Sequence, residues 1–195
     1  MADAHPEAIE AAIAHHVTHG TLQCAYELLV RSYGQAVFAY CVQFFSGDPG
    51  MAEDMTQEVF LEAGKKLEQF QRRSSAKTWL LSIAHNRCVT HALTAQRRRT
   101  LRRERARDVV QQTLAAPLAD LEARVLEQER HACLQAALKE LSPEERSLVL
   151  LRFGVGTATQ LSTDELATLL GVSRASAYRK LEAVLHKLKD RMDQG

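Results

Sequence analysis

The segment SRASAYRKLEAV places Arg174, Ser176, Tyr178, Arg179 and Lys180 within two helical turns of one another. Those residue types suit DNA: arginine makes paired hydrogen bonds to guanine edges in the major groove, and lysine and serine reach phosphates. Reading bases this way requires a helix presented end-on to the groove, so the flanking sequence must supply one. It does. Ser162 and Glu165 have the spacing of a capping box, and Leu166, Ala167, Leu169 and Leu170 then form one apolar face. Gly171 suits the left-handed backbone of a sharp helix exit, and Ser173 can cap the next helix. Ala177, Leu181, Val184, Leu185 and Leu188 recur at three or four residues, which turns the basic and hydroxyl side chains onto other faces. The spacing predicts a helix-turn-helix over 161–190.

The rest of the chain has the same periodicity. Sustained alternation is missing, so the predicted fold class is all-α, two small helical domains joined by a flexible linker. A helix is expected from about Leu22 to Phe45, broken by Gly47-Asp48-Pro49-Gly50, and a second from near Met51 through Leu67. Gln71 to Ser75 reads as a loop whose serines cap a third helix beginning AKTWLLSIAHN. Ser142-Pro143-Glu144-Glu145 opens another with serine cap, early proline and capping-box glutamate, after a helix from about Leu121 to Leu141. The expected divisions are an N-terminal extension over 1–21, a first domain over 22–99, a linker over 100–125 and a second domain over 126–195.

Net charge is +1, but it is unevenly spread. Residues 1–71 carry 3 Lys/Arg and 10 Asp/Glu, residues 72–107 carry 11 and 1, and residues 108–195 carry 11 and 13. A basic band between an acidic part and a mixed part implies one surface for a polyanion and another for a basic partner. The four cysteines, Cys24, Cys41, Cys88 and Cys133, form no C-x-x-C pair and are expected as reduced thiols. The chain start lacks a basic segment followed by an apolar core, and no apolar run approaches the ~20 residues of a membrane helix, so a cytoplasmic protein without membrane insertion is expected. His85, Cys88 and His91 are spread around about 240° of helix, and His15, His16 and His19 offer at most a pair, so no metal or other cofactor is expected. No nucleophile motif or phosphate loop points to an enzyme.

Two further segments narrow the reading. AEDMTQEVFL, residues 52–61, and FQRRSSAKTWLLSIAHNRCVTHAL, residues 70–93, resemble regions 2.2 and 2.3/2.4 of bacterial extracytoplasmic-function (ECF) sigma factors. LSPEERSLVLLRF and the helix-turn-helix resemble region 4 of the same family, in the same order. The resemblance implies a transcription initiation factor that binds core RNA polymerase through the β′ clamp helices and the β flap, recognises promoter DNA and assists its opening. It implies that Glu53, Asp54, Gln57 and Glu58 dock on polymerase. It also implies that Arg72, Arg73, Ser74, Ser75 and Lys77, with His85 and Asn86, capture the minus-10 element. Opening a duplex needs something to hold an unstacked base, and a polar loop at a helix N-terminus offers N–H groups, hydroxyls and positive charge. Arg174, Ser176, Tyr178, Arg179 and Lys180 would read the minus-35 element, and the arginines at 97, 98, 99, 102, 103, 105 and 107 would hold phosphates. An anti-sigma factor is the expected inhibitory partner. Trp79 reads as core rather than as a stacking platform. Ala76 departs from the family, which usually has a large residue there, and the connection GVGTATQLSTDELA is about four residues longer than usual.

Two other classes remain open at this point. One is a helix-turn-helix regulator that binds duplex DNA alone, and the other is a thiol sensor, which needs two cysteines close in space.

Overall fold

The computed structural model describes residues 6–105, 133–154 and 160–192. Its elements are helices α1 (Pro6–Thr18), α2 (Leu22–Phe44), α3 (Pro49–Lys66) and α4 (Ala76–Arg105), then α5 (described over 133–140), α6 (Pro143–Phe153), α7 (Thr163–Leu170) and α8 (Arg174–Met192). A single 3-10 turn, Leu67–Gln69, lies between α3 and the loop before α4.

Helix starts follow the local chemistry. The Asp48 carboxylate accepts from Met51 N–H at 3.0 Å ahead of Pro49. Ser142 and Glu145 form a reciprocal capping box, as do Ser162 and Glu165. Gly154 and Gly171 end α6 and α7 in the left-handed region, at φ 59° and 63°. The arginine-rich start of the expected linker does not form a separate element: it prolongs α4 to Arg105, supported by the packed helix before it. The residues 106–132, with the expected start of α5 at Leu121, and the lengthened connection over 155–159 lie outside the described residues.

The first half has four helices where three were expected from sequence. α1 packs on α2 through Ile13 and Ala14, both buried, so part of the supposed N-terminal extension belongs to the core. Its signal was present in the sequence, since Ile9, Ile13 and Val17 recur at four-residue spacing behind Pro6 at the helix start. Leu29, Val37, Phe44, Met55, Val59, Leu80, Leu81 and Ala84 fill the space between α2, α3 and α4. Leu151, Leu161, Leu166, Val184 and Leu188 do the same between α6, α7 and α8.

The two halves meet along α2 and α4 on one side and α6 and α7 on the other. Ser147 of α6 is fully buried there, its Oγ 2.6 Å from both Tyr40 Oη and His85 Nδ1. Beside it, the Arg146 guanidinium donates to Phe44 O at 3.1 Å, Leu138 O at 2.9 Å and Lys139 O at 2.9 Å. One cation thus satisfies last-turn carbonyls of α2 and α5 together, where helix dipoles favour positive charge. At the far end of the contact Thr78 donates to Glu165 Oε1 at 3.0 Å.

Burial lowers the pKa of His85 from its ordinary 6.5, with Glu144 opposing the shift, so the buried ring is held neutral. A group with a depressed folded pKa of this kind stabilises the closed arrangement fully above its ordinary value and loses that contribution as pH falls through the depressed one. Interdomain fluorescence transfer between labels on α3 and α8 should therefore be constant from pH 8 to 7 and fall on acidification below about 6.5. Ser147→Val should lower transfer already at pH 8, because it leaves two buried polar atoms unpaired at about 1–3 kcal/mol each. An unchanged pH profile in wild type would contradict this.

Candidate nucleic-acid interface

The loop between the 3-10 turn and α4 is short and fixed at both ends. On one side Phe70 is buried and stacks obliquely on Trp79, ring centroids 5.1 Å apart, so the indole is occupied in packing as expected. On the other side Ser75 Oγ accepts from Thr78 N–H at 3.0 Å and donates to Thr78 Oγ1 at 2.9 Å. The Ala76 and Lys77 N–H groups donate to Glu10 of α1, at 2.6 and 3.1 Å. The first N–H groups of α4 are thus taken within the chain, and the expectation that this helix start offers free backbone donors to DNA is corrected. What the loop presents instead is side chains. Arg72 and Arg73 are exposed, and Ser74, Ser75 and Lys77 are half-buried behind them.

Arg72 has φ 57°, a left-handed conformation in which a side chain crowds its own carbonyl. Strain at a position aimed at solvent is retained when the surrounding structure over-determines it. Here the buried Phe70 and the fastened start of α4 are two and four residues away on either side.

His85 does not join these residues. It is buried against Ser147, 2.6 Å from it, while its neighbour Asn86, one 100° step around α4, is exposed. In this arrangement His85 packs against Ser147, whereas Asn86 stays on the surface. Further along α4, Arg97, Arg98 and Arg99 are exposed and continue the basic band. Arg102, Arg103 and Arg105 lie on the last turns of the helix, and Arg107 falls outside the described residues.

Glu53, Asp54, Gln57 and Glu58 are all exposed on α3, while Ala52, Met55 and Val59 turn into the core. Arg87 of α4 lies 3.8 Å from both Glu58 and Glu62, leaving Glu53 and Asp54 as the acidic end of the face. Leu61, 63% exposed, adds an apolar side chain to the same helix.

In the second half, α7 and α8 form the expected helix pair. Val172 N–H donates to Ala167 O at 3.0 Å across the turn, and Ser176 N–H donates to the capping Ser173 Oγ at 3.2 Å. Ala177, Leu181, Val184 and Leu188 are buried, which leaves Arg174, Tyr178, Arg179 and Lys180 exposed and Ser176 half-buried. Arg174 pairs with Asp164 at 3.3 Å, and Arg179 reaches back to Ser176 Oγ at 3.4 Å. Exposed pairs of this kind are worth about 0–1 kcal/mol, so both guanidinium groups can exchange them for a base edge. Among the described residues no group of three or more His, Cys, Asp or Glu is placed to hold a metal, and no helix is long and apolar enough to cross a membrane.

The cysteines are free. Cys41 and Cys88 are buried with Sγ atoms 3.9 Å apart, so the proximity a thiol sensor needs does exist at one pair. Both are fully enclosed in the α2–α4 core, however, which denies an oxidant access to them.

Comparison with known proteins bears on this geometry. A model of Sigma-70 region 2 matches residues 29–99, which contain the acidic face, the loop and the first part of the basic band. The chain is 29% identical over 184 residues to the ECF RNA polymerase sigma factor SigG of Mycobacterium tuberculosis, covering 80% of this chain and 46% of that protein. It is 29% identical over 167 residues to the RNA polymerase sigma-H factor of Pseudomonas aeruginosa, covering 82% of this chain and 84% of that one. The chain spans about half the length of the first relatives it matches, SigG and RfaY of Xanthomonas campestris. In fold it is similar to CnrH, solved in complex with the cytosolic domain of CnrY, at a TM-score of 0.60 and 23% identity over 95% of this chain and 98% of that chain.

Two substitutions separate strain from charge and base reading from phosphate contact. Arg72→Gly should raise thermal stability by about 0.5–1 kcal/mol by relieving the left-handed arginine, while weakening binding to single-stranded DNA. A calorimetric melt at or below the wild-type temperature would count against the strain. Arg179→Ala should lose about 1–3 kcal/mol of discrimination between matched and altered duplex sites, whereas Lys180→Ala should weaken both alike. Equal losses on both duplexes for Arg179→Ala would make it a backbone contact.

Proposed function

We propose that the chain is a member of the extracytoplasmic-function group of the sigma-70 family, and that it is a transcription initiation factor with no catalytic step of its own. It binds core RNA polymerase, directs it to promoters and assists in opening the DNA. The observation that carries this reading is a conjunction within one chain. The segment matched by the region 2 model includes an exposed acidic helix face and a fastened basic loop, and an intact helix-turn-helix follows it. A stand-alone duplex-binding regulator would have use for the last of these alone.

Each surface then has a partner of complementary chemistry. Glu53, Asp54, Gln57 and Glu58 dock on a basic helical face of polymerase, the β′ clamp, where opposite charge gives orientation and fast association more than affinity. Arg72, Arg73, Ser74, Ser75, Lys77 and Asn86 hold the opened minus-10 strand, and exposed Arg97, Arg98 and Arg99 hold phosphates. Arg174, Ser176, Tyr178, Arg179 and Lys180 read the minus-35 duplex in the major groove.

This assignment requires the two halves to part. Elements centred about 25 base pairs apart are roughly 85 Å apart along the duplex at 3.4 Å per pair. In the closed arrangement the first turn of α4 touches α7, Thr78 to Glu165 at 3.0 Å, so the two DNA-facing surfaces cannot both reach their elements. The chain length permits the opening. The residues from 106 to 132 could span up to about 90 Å at ~3.3 Å each. A protein that grips both halves in the closed arrangement, as an anti-sigma factor would, blocks both DNA contacts at once.

Run-off transcription with purified core polymerase tests the reading. Wild type should give promoter-dependent transcripts. Asp54→Ala with Gln57→Ala should weaken holoenzyme assembly at least tenfold, about 1.4 kcal/mol, without changing the melting temperature of the isolated chain. Tight, sequence-specific duplex binding with no effect on polymerase would replace this reading with that of a stand-alone regulator.

A further inference from the structure

The least expected contact in the first half joins α1 to the start of α4. Glu10 sits on α1 outside the segment matched by the region 2 model, yet both of its carboxylate oxygens are committed to the first residues of α4, directly after the DNA-facing loop. Oε2 accepts from Ala76 N–H at 2.6 Å and Oε1 from Lys77 N–H at 3.1 Å. Tyr33 of α2 donates its hydroxyl to Oε1 at 2.6 Å. Burial first, and then the hydrogen bond and negative charge of Glu10, push the Tyr33 phenol well above its ordinary range, so it remains a donor.

The arrangement is fixed from behind. Ile13, one turn after Glu10, is fully buried, and Ala14 is buried beside it, so the helix that carries Glu10 is anchored in the core. The small Ala76, itself buried, leaves the space through which Glu10 approaches the helix start. A cavity of about 770 Å³ lies between α1, α2 and the loop, lined by Glu7, Glu10, Tyr33, Arg72, Ser74 and Lys77. One wall of the space beside the loop is therefore α1 itself.

We infer that Glu10, oriented by Tyr33, is the positioning residue of the loop 71–75, and that α1 is part of the DNA-opening apparatus. This rests on the reading of that loop as the element that holds the opened strand. The chemistry is that of a helix cap supplied from a distance. The loop does not cap α4 completely by itself: Ser75 takes the Thr78 N–H, and among the described residues Glu10 is the acceptor for the Ala76 and Lys77 N–H groups. Two unpaired donors at the positive end of a helix would fray the first turn, and with it the placement of Arg72, Arg73 and Lys77.

The test uses the full chain assembled with core polymerase and a single-stranded oligonucleotide carrying the minus-10 sequence. Glu10→Ala should weaken oligonucleotide binding about tenfold or more, with core-polymerase affinity and minus-35 duplex binding unchanged. Glu10→Gln, which keeps one carbonyl acceptor, and Tyr33→Phe, which keeps the carboxylate but not its orientation, should lose several-fold. Acetate, but not chloride at the same ionic strength, should restore part of the binding lost in Glu10→Ala, which a merely destabilised fold would not show. Wild-type binding by Glu10→Ala and Glu10→Gln, beside lost binding in Arg72→Ala with Arg73→Ala, would overturn the role of Glu10 and leave the loop reading intact. Tighter binding by Glu10→Ala would overturn it too, since the carboxylate would then be competing with DNA. Normal binding by the arginine variants would remove the loop reading and this inference with it.

Discussion

Two adjacent residues of α6 decide how the molecule is put together. Arg146 gathers the last-turn carbonyls of α2 and α5, and Ser147 inserts a hydroxyl between Tyr40 and His85 in the same seam. A half-buried arginine and a buried hydroxyl cost desolvation that apolar residues would avoid, and they recover it only in one relative placement of the partners. Burial lowers the Arg146 pKa, which reflects that cost. The seam is consequently specific in placement, and the apolar side chains of both halves run through it as one continuous core.

α4 is the axis along which packing and DNA chemistry are divided. Its first turn is pinned by Glu10 and Ser75, its middle turns His85 and Cys88 inward while Asn86 faces out, and its last turns carry the arginine band. Because each residue advances about 100° around the axis, neighbours in sequence fall on different faces and take unrelated roles. A rigid helix of 30 residues also holds the loop at its start in register with the basic side chains farther along.

This division explains what could be read from sequence. Capping boxes at Ser142 and Ser162, the left-handed Gly171 and the apolar period of α8 are local events, each settled within a few residues, and the structure has them where the spacing predicted. α1 was equally legible from Ile9, Ile13 and Val17, but its short apolar stripe says nothing of what it packs against. His85 shows the harder case. On its helix it stands beside Asn86 in a basic stretch, and its burial depends on Ser147, 62 residues away. Glu10 reaches across 66 residues to Ala76, and the meeting of Cys41 with Cys88 likewise depends on how α2 crosses α4. Contacts of that kind carry no periodicity and no motif, because they are consequences of the packing rather than causes of it.

The near-zero net charge follows from the same organisation. An acidic α3 face and a basic band on α4 meet at one groove, lined by Glu58, Arg87, Arg98 and Arg99, where Arg87 offsets the end of the acidic face nearest α4. Closing the two halves then adds a further level of control. A ligand shifts such an equilibrium only by the difference in its affinity for the two arrangements. Moving the population from one open molecule in a hundred to ninety-nine takes about 5.5 kcal/mol of that difference. On the proposed function, polymerase touching the exposed α3 face alone would meet the same surface in both arrangements and contribute none of it. The difference has to come from contacts available in the open form alone, namely surfaces of α2, α4, α6 and α7 freed from the seam, or two DNA elements too far apart for the closed form to reach together. On the proposed function, commitment to a promoter would thus be coupled to opening, and a protein that binds across the seam would oppose both in one step.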